Sequence, residues 1–406
     1  FLAIISILFL NWRINKPNNL IIMNSKLFNA SCFALITTAM TFAVRAKIEL
    51  VFNNDYGLTL EQIGIAFGPA FYGFTLAMII GGFLVDLFGM KKIMNLAFIG
   101  HFVGIILTLF ARDFWMLFAG TLLTGIGNGM VEAACNPLIA TIYPKEKTKM
   151  LNRFHVWFPG GIVIGSVLGY VIVDLMGLSW MVLVGTLFIP LIIYILQFKG
   201  QEFPDTERVS SGVTYNDMLK ACFANPLFWF IGFCMLLTAS TELATTQRIS
   251  SLLQETVSNP ILVLAFINGI MAFGRLFAGD IVHKLSITKM LLFSAVFSFL
   301  GLLWLSSADG AASFLAAAVF AVGVCYFWPT MLSFVAEKIP SSGALGLSLM
   351  GGLGMFSVAI VLWAMGFVMD MNATGSDTLL RLSILPAILI VLFGARLIVE
   401  ISQSKS

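Results

Sequence analysis

The chain has 406 residues, of which 59% are hydrophobic and only 11% are charged, whereas a soluble domain carries roughly 25% charged residues. Such a chain cannot cover its surface with polar groups, so the composition predicts a membrane protein whose partner is the lipid bilayer. The net charge of +3 is too small to indicate a nucleic-acid partner.

Sequence motifs for metal, nucleotide or hydrolase chemistry are missing. The five cysteines form no CxxC pair, which argues against a zinc site or a disulfide framework. No HExxH, Walker A or GxSxG sequence occurs either. The chain is therefore predicted to hold no metal and no cofactor, and not to be an enzyme.

The first 26 residues are predicted to form an N-terminal extension outside the membrane domain. Their apolar run, which begins at Phe1, is too short to span a bilayer, and it lacks a convincing signal-peptide cleavage site. Residues 1–22 precede the first methionine, Met23. We therefore expect translation to start at Met23 and residues 1–22 not to be native.

Twelve mostly apolar segments of about 20 residues follow, and each is long enough to cross a bilayer. They cover approximately 27–52, 60–85, 93–111, 114–142, 154–175, 178–198, 223–250, 258–282, 286–307, 311–337, 343–369 and 378–400. The longest hydrophilic run, residues 199–222, divides them into six and six. The sequence predicts an all-α polytopic membrane protein with twelve transmembrane helices in two six-helix bundles, 27–198 and 223–401, and a tail at 402–406.

Lysine and arginine residues concentrate in alternate loops. They follow segments 2, 4, 6, 8 and 10, as Lys91, Lys145, Lys199, Lys284 and Lys338 illustrate. Because basic loops tend to stay in the cytoplasm, both termini and the linker are predicted to be cytoplasmic. The expected location is the plasma membrane, or the inner membrane if the protein is bacterial.

The first segment carries charges at a depth where each costs a few kcal/mol. A polar stripe with a spacing of four residues runs along it: Thr37, Thr41, Arg45 and Glu49. Lys47 lies on another side of the helix and is expected to reach the lipid headgroups. Since the threonines continue inward from it, Arg45 is predicted to face a central cavity and bind substrate. The alternative is that Arg45 also reaches the headgroups.

The fourth and fifth segments carry the candidate coupling group. Glu132 lies within an otherwise apolar stretch, where an anion is expensive, so we predict that it takes up and releases the coupling proton. The alternative is a structural glutamate held by an arginine or by the backbone. Asn136, one turn further on, can donate to and accept from a hydroxylated ligand. His155 can bind a ligand when neutral or charged; the alternative is a solvated interfacial histidine.

The seventh segment repeats the pattern of the first, with Glu242 and Gln247 as candidate substrate ligands. An offset of 197 residues between the halves superposes Arg45 on Glu242. This predicts an ion pair that closes the outer side and for which a ligand competes; the alternative is a local pair of Glu242 with Arg248. Trp328 flanks the same cavity and is a candidate to stack on a sugar ring. The alternative is ordinary aromatic packing, since the chain has 38 phenylalanines.

The loops after segments 2 and 8 repeat one motif. GFLVDLFGMKKI begins at Gly82 and GDIVHKLSITKM at Gly279, a pattern typical of a transporter with two related bundles. The first copy resembles the signature loop of the major facilitator superfamily. The resemblance implies that Asp86 pairs with a basic group or a helix end and holds one conformer shut; the alternative is an ordinary surface acid. The predicted gating residues are Gly82, Asp86, Gly89, Lys91, Lys92, Arg275 and His283.

Within that superfamily the chain is similar to the fucose permease group of sugar–proton symporters. The similarity is carried by VEAACNPLIA, LNRFHVWFPGG, WPTMLSF and MGFVMD. It implies that Glu132 carries the proton and that His155 replaces a sugar-contacting glutamine, while Ala46 stands where the group has a second carboxylate. The expected function is alternating-access symport of a proton with a sugar or acidic sugar, by a monomer. The alternatives are an efflux carrier for lipophilic or organic-anion compounds and a sensor that binds without flux.

Overall fold

The computed structural model describes residues 19–58, 60–258, 260–278, 281, 284–370 and 373–403. These residues form helices joined by short turns, with no strand among them, which confirms the all-α fold class. Residues 1–18 of the predicted extension and the predicted gating residue His283 lie outside the described residues.

In the part of the chain that the structure describes, twelve long helices follow the order that the hydropathy predicts. The first six are α1 Asn19–Asn54, α2 Gln62–Phe88, α3 Met90–Phe110, α4 Phe114–Ile142, α5 Lys147–Leu175 and α6 Trp180–Phe198. The second six are α7 Pro226–Ile249, α8 Pro260–Leu276, α9 Ile287–Leu305, α10 Ala311–Lys338, α11 Pro340–Met369 and α12 Gly375–Gln403. Within the described residues, eleven have the length and hydropathy to cross a bilayer, and α8 is apolar over Leu262–Leu276.

Two short helices, Glu207–Ser210 and Tyr215–Phe223, lie between α6 and α7. Each begins after a threonine, Thr206 or Thr214, whose hydroxyl accepts a hydrogen bond from a backbone N–H of the first turn. Such caps satisfy N–H groups that a helix cannot pair internally. The side of the membrane domain on which these helices lie is called the linker face below.

Two prolines disturb helices close to the bundle interface. α5 and α10 are each interrupted a few residues before a proline, Pro159 in α5 and Pro329 in α10. A proline has no N–H, and its ring crowds the carbonyl four residues earlier. The carbonyls of His155 and Cys325 are therefore left without their usual helix hydrogen bonds, and both become available to other donors.

The two bundles meet where α2 packs against α11. A Cβ placed on Gly82 would lie 2.5 Å from the Cβ of Ser348, and one on Gly352 would lie 2.8 Å from Cγ1 of Ile79. Distances below 3 Å leave no room for a side chain, so glycine on each helix is what permits this close approach. The bundles are in direct contact here.

Gly82→Leu is expected to separate α2 from α11 and open the linker face. The measurement is the alkylation rate of a cysteine introduced at Ala140, which is 2% exposed and lines the contact of α4 with α10 and α11. We expect a rise of about tenfold, the effect of shifting the closed state by about 1.4 kcal/mol. Gly269→Leu is the control, because a Cβ at Gly269 has nothing within 4 Å. Equal rates in the two variants would contradict a closed α2–α11 contact.

Candidate functional site

A small cavity lies between the two bundles. Its lining includes Phe74, Glu132, His155, Glu242, Arg275 and Trp328, which come from both bundles. The cavity volume is about 10 Å³, close to that of a single water-sized probe. The site is therefore closed around its own side chains, and a sugar-sized ligand requires the bundles to move apart.

The first bundle contributes a hydrogen-bonded group of three side chains. Asn136 Nδ2 donates to Glu132 Oε2 over 2.6 Å, and Asn136 Oδ1 lies 3.0 Å from His155 Nε2. His155 Nε2 is 3.8 Å from Glu132 Oε2. All three residues are at most 2% exposed. Because Glu132 and Asn136 are one turn apart on α4, the amide is held beside the carboxyl.

Arg275 of α8 organises the second-bundle side of the cavity and is 1% exposed. Its Nη2 donates to Glu242 Oε1, and its Nε donates to the carbonyl of Cys325, both over 2.6 Å. Its Nη1 donates to the carbonyl of His155 over 2.8 Å, across the bundle interface. Both carbonyls are the ones that prolines leave free, so the backbone of each bundle is prepared to hold the guanidinium.

Glu242 is positioned by two irregular pieces of helix. It lies in the π-helical turn Ser240–Ala244 of α7, and such turns are frequent at functional sites. Its Oε2 accepts from the backbone N–H of Trp328 over 3.3 Å, where α10 resumes after its interruption. The start of a helix has unpaired N–H groups and the positive end of the helix dipole. Both features stabilise the carboxylate.

The buried charges of the cavity are uneven. Two carboxyls, Glu132 and Glu242, face one guanidinium, Arg275, and one imidazole, His155. Arg275 bonds directly to Glu242, whereas Glu132 contacts an amide and the imidazole. A buried anion without a cationic partner is costly. Of the two acids, Glu132 is the one that this arrangement suits to hold a proton.

A second polar cluster joins the bundles at the linker face. Asp86, at the end of α2, accepts from Arg208 Nε over 2.6 Å and from the hydroxyl of Thr206. The Arg208 guanidinium lies 4.2 Å from the ring centroid of Tyr215. A Cβ placed on Gly343, near the start of α11, would lie 3.1 Å from the Arg208 Cβ. Asp86 thus ties the first bundle to the linker, and the linker packs on the second bundle.

Further contacts cross the same face between α5 and α10. Lys147 Nζ lies 2.8 Å from Glu207 Oε1 of the linker and donates to the carbonyl of Ala336 over 3.2 Å. The hydroxyl of Thr148 donates to Glu337. Since these contacts link the two bundles directly, the linker face is closed in this conformation.

The other residues predicted for the gate also lie at this face. Lys91 Nζ donates to the carbonyl of Gln201 in the linker over 2.9 Å, and Lys92 Nζ lies 5.9 Å from the ring centroid of Phe88. Gly89 has a φ of +83°, a conformation that favours glycine. It turns the chain from α2 into α3.

Comparison with known families decides the class of this architecture. The family model of the Major Facilitator Superfamily matches residues 27–362. The chain belongs to the major facilitator superfamily. It is therefore a membrane transporter and not an enzyme.

The individual relatives of this superfamily member are distant. It is 28% identical over 147 residues to the probable anion transporter 6, chloroplastic, of Arabidopsis thaliana, covering 36% of this chain and 28% of that protein. It is 27% identical over 263 residues to the multidrug resistance protein MdtG of Proteus mirabilis, covering 63% of each. The chain thus spans less than two thirds of these relatives.

A solved structure shares the fold of the transporter. The crystal structure of the E. coli fucose:proton symporter FucP superposes with a TM-score of 0.74 at 17% identity, covering 93% of this chain and 99% of that chain. At this identity the likeness shows the fold alone. It confirms the twelve-helix architecture of the major facilitator fold.

Arg45 is the main correction to the predicted site of the transporter. Its guanidinium lies 4.6 Å from the ring centroid of Phe42 and 5.4 Å from that of Phe71, a cation–π arrangement. It lines a separate cavity of about 30 Å³ within the first bundle. In this conformation Glu242 pairs with Arg275 at 2.6 Å and not with Arg45, so the ion pair of Arg45 with Glu242 stays a prediction for the conformation in which the outer side is closed. Residues at corresponding positions of the two repeated halves can therefore have different side-chain partners.

Three other predicted residues have mixed outcomes. Trp328 lines the central cavity. Arg275, predicted to act in the gate, lies in the central site instead, because α8 places it against Glu242. Gln247 is half-buried more than one turn beyond Glu242, and it is not among the described residues that line the cavity.

Sequence patterns do not reveal two parts of the site. One is Arg208, which holds Asp86 from within the linker and looks in sequence like an ordinary loop arginine. The other is the carbonyl of Cys325, which binds Arg275. The available signal for that carbonyl is Pro329, four residues further on, since a proline frees the carbonyl at that spacing.

Asp86→Asn is expected to weaken closure of the linker face. The Asp86 side chain is fully buried against Arg208, so removing its charge leaves the guanidinium without a carboxylate. The alkylation assay at Ala140 should show an increase of about tenfold, a shift of about 1.4 kcal/mol. Asp205→Asn removes the same charge from an exposed position in the linker and should leave the rate unchanged. A rate equal to that of the control would exclude Asp86 from the gate.

Proposed function

We propose that this transporter carries a sugar or an acidic sugar derivative together with a proton, by alternating access. The main support is a series of hydrogen bonds that runs from Glu132 through Asn136, His155 and Arg275 to Glu242. It joins the acid best suited to hold a proton to the ion pair that a substrate would displace. Because the contact of Arg275 with the His155 carbonyl crosses the interface, a change at either end acts on both bundles.

Proton uptake at Glu132 alters the first-bundle end of this series of hydrogen bonds. A protonated carboxyl can donate a hydrogen bond, and it removes a negative charge that the buried site compensates poorly. The Asn136 amide and the His155 ring must then adjust, since both lie beside the same carboxylate oxygen. The carbonyl of His155 holds Arg275, so the adjustment reaches the second bundle.

The substrate would act on the ion pair of Arg275 and Glu242, at the other end of this series of contacts. A substrate carboxylate would bind the guanidinium through two N–H groups and replace Glu242. The hydroxyls of a neutral sugar would instead bond to Asn136 and the two carboxyls. Trp328 in the cavity wall offers an aromatic face for a sugar ring. The FucP structure that shares this fold is that of a fucose:proton symporter, which supports a sugar as the substrate class.

Efflux of lipophilic or organic-anion compounds is the second candidate function. Phe74, Phe158 and Met355 line the same cavity, and an apolar lining suits lipophilic ligands. One relative, which aligns with 63% of the chain, is by name a multidrug resistance protein. The buried ion pair favours a polar substrate, since its groups need polar partners when they are separated. We therefore place proton-coupled sugar transport first.

We also propose the setting in which the transporter works. Alternate basic loops support a cytoplasmic linker face in the plasma membrane, or the inner membrane of a bacterium. The central site draws on both bundles of one chain, which supports a monomer as the functional unit. The mechanism above uses a proton as the coupling ion and needs no cofactor.

The test is the external pH of a dense, lightly buffered suspension of expressing cells. Neutral hexoses are added first, and hexuronates and aldonates follow one at a time. Alkalinisation with one class would establish proton symport and identify the substrate class. No response to any sugar, together with resistance of the cells to lipophilic drugs, would overturn the proposal in favour of efflux.

A further inference from the structure

We infer that an anionic phospholipid binds to a lateral site formed by α1, α5 and α6, with its headgroup at the linker face. The site consists of a polar cavity and an adjoining apolar groove. It is separate from the central cavity, and the inference does not depend on which substrate is transported.

The polar part, called the head cavity, has a volume of about 80 Å³. Its polar lining includes Asn29, Tyr143 and Arg153. Arg153 lies six residues after Lys147, which contacts the linker, so it is roughly 9 Å further along α5 at 1.5 Å per residue. At this distance the guanidinium can reach the headgroup region, where arginine side chains usually place their charge.

The charge of Arg153 is available to a ligand. None of the ion pairs between the described residues includes it. The titratable side chains that face it in the cavity are Cys32 and Tyr143, which are neutral near pH 7. Two exposed lysines, Lys26 and Lys145, add positive charge at the same end of α1 and α5, and the neighbouring acid Glu146 is paired with Lys149 at 2.8 Å. A guanidinium binds phosphate through paired N–H groups, so the head cavity suits a phosphate.

The apolar part, called the tail groove, has a volume of about 190 Å³ and adjoins the head cavity, with which it shares Cys32 and Trp157. It continues past Ile164 to Leu168. From Trp157 to Leu168 the helix rises about 16 Å. One leaflet contributes about 15 Å of a hydrocarbon core that is about 30 Å thick. The tail groove therefore has the length and the composition to hold one acyl chain.

The two parts together match an amphiphile with an anionic head and a long tail. A bilayer phospholipid such as phosphatidylglycerol has this chemistry, and basic pockets beside membrane helices bind such headgroups. The phosphate would accept hydrogen bonds from Arg153 and Asn29. One acyl chain would cover the apolar side chains between α1, α5 and α6.

A bound lipid at this site would favour the closed linker face. Leu276, at the end of α8, also lines the head cavity, so the second bundle contributes to the site. A ligand stabilises the conformation that completes its site. The lipid would therefore act on the balance between the two conformations of the transporter.

The test is native mass spectrometry of the purified full chain with equal amounts of phosphatidylglycerol and phosphatidylcholine. The wild-type protein should retain one phosphatidylglycerol molecule preferentially. Arg153→Gln should reduce this preference about tenfold, the effect of one charge-assisted hydrogen bond. Ile164→Trp should fill the tail groove and lower the occupancy by that one lipid. Lys289→Gln and Ile398→Trp, at exposed positions of α9 and α12 in the second bundle, are the matched controls and should leave lipid binding unchanged.

Two results would overturn the inference. An unchanged preference for phosphatidylglycerol in Arg153→Gln would exclude the head cavity as the headgroup site. Unchanged lipid occupancy in Ile164→Trp would exclude the tail groove. A site that takes only a soluble phosphate would be sensitive to the first substitution and indifferent to the second, which would also overturn the lipid assignment.

Discussion

Replacing Glu132 by glutamine is expected to abolish proton-driven accumulation of substrate and to leave exchange across the membrane intact. Glutamine keeps the shape of the side chain and can accept from Asn136, but it cannot carry a proton. If one proton accompanies each substrate molecule, a gradient of one pH unit supports about tenfold accumulation, since it supplies about 1.4 kcal/mol. With Glu132→Gln the substrate concentrations inside and outside the vesicles should become equal. The measurement is labelled substrate uptake into proteoliposomes under an imposed pH gradient, with counterflow into preloaded vesicles.

Glu255→Gln is the matched control for this experiment. Glu255 is exposed in the loop between α7 and α8, so the variant loses the same charge far from the cavity. It should accumulate substrate as the wild-type protein does. Accumulation by Glu132→Gln at the wild-type level would remove Glu132 as the proton carrier. If Glu132→Gln lost both counterflow and accumulation, Glu132 would be assigned to substrate binding instead.

Breaking the ion pair of Arg275 and Glu242 on one side is expected to cost the protein about 3–5 kcal/mol of stability, because the remaining charge stays buried. Arg275→Met and Glu242→Gln should each lower the unfolding temperature strongly. The double variant should recover most of that loss, since neither charge remains. Transport should be lost in all three. Thermal unfolding of the detergent-purified proteins as a double-mutant cycle measures the coupling of the two residues.

Arg396→Met is the control for the ion pair. Arg396 contacts Glu400 at 3.1 Å, with side chains that are 24% and 25% exposed, and surface pairs are worth at most about 1 kcal/mol. The unfolding temperature of Arg396→Met should therefore differ little from that of the wild-type protein. Arg275→Lys should keep the charge and still lose transport, because an ammonium does not present the planar set of donors that reaches three acceptors. If the double variant Arg275→Met/Glu242→Gln lost as much stability as the two single variants together, the two residues would not be coupled.

The fold could be predicted from the sequence because the bilayer restricts the choice of structure. In hydrocarbon every backbone polar group must be paired internally, so an apolar segment of sufficient length becomes a helix. The hydrophilic run at 199–222 then separates the two bundles. The interruptions of α5 and α10 are harder to place, since they depend on how Pro159 and Pro329 meet the packing around them.

The site could be predicted only in part. Glu132 is recognisable because an acid stands out in an apolar helix, and the structure places it in the central cavity. The partner of Glu242 is not recognisable, because Arg275 is held by backbone carbonyls that carry no side-chain signal. The internal repeat points to Arg45 instead, although its side chain lies on the rings of Phe42 and Phe71.

The internal pH of proteoliposomes most directly tests whether the contacts between Glu132 and Glu242 couple the proton to the substrate. The vesicles contain a trapped pH-sensitive dye. Substrate identified in the cell assay is added outside with no imposed gradient. We expect the lumen of wild-type vesicles to acidify as substrate enters. In Glu132→Gln vesicles substrate should enter with no change of internal pH. Substrate entry into wild-type vesicles with no acidification would contradict proton symport by this transporter.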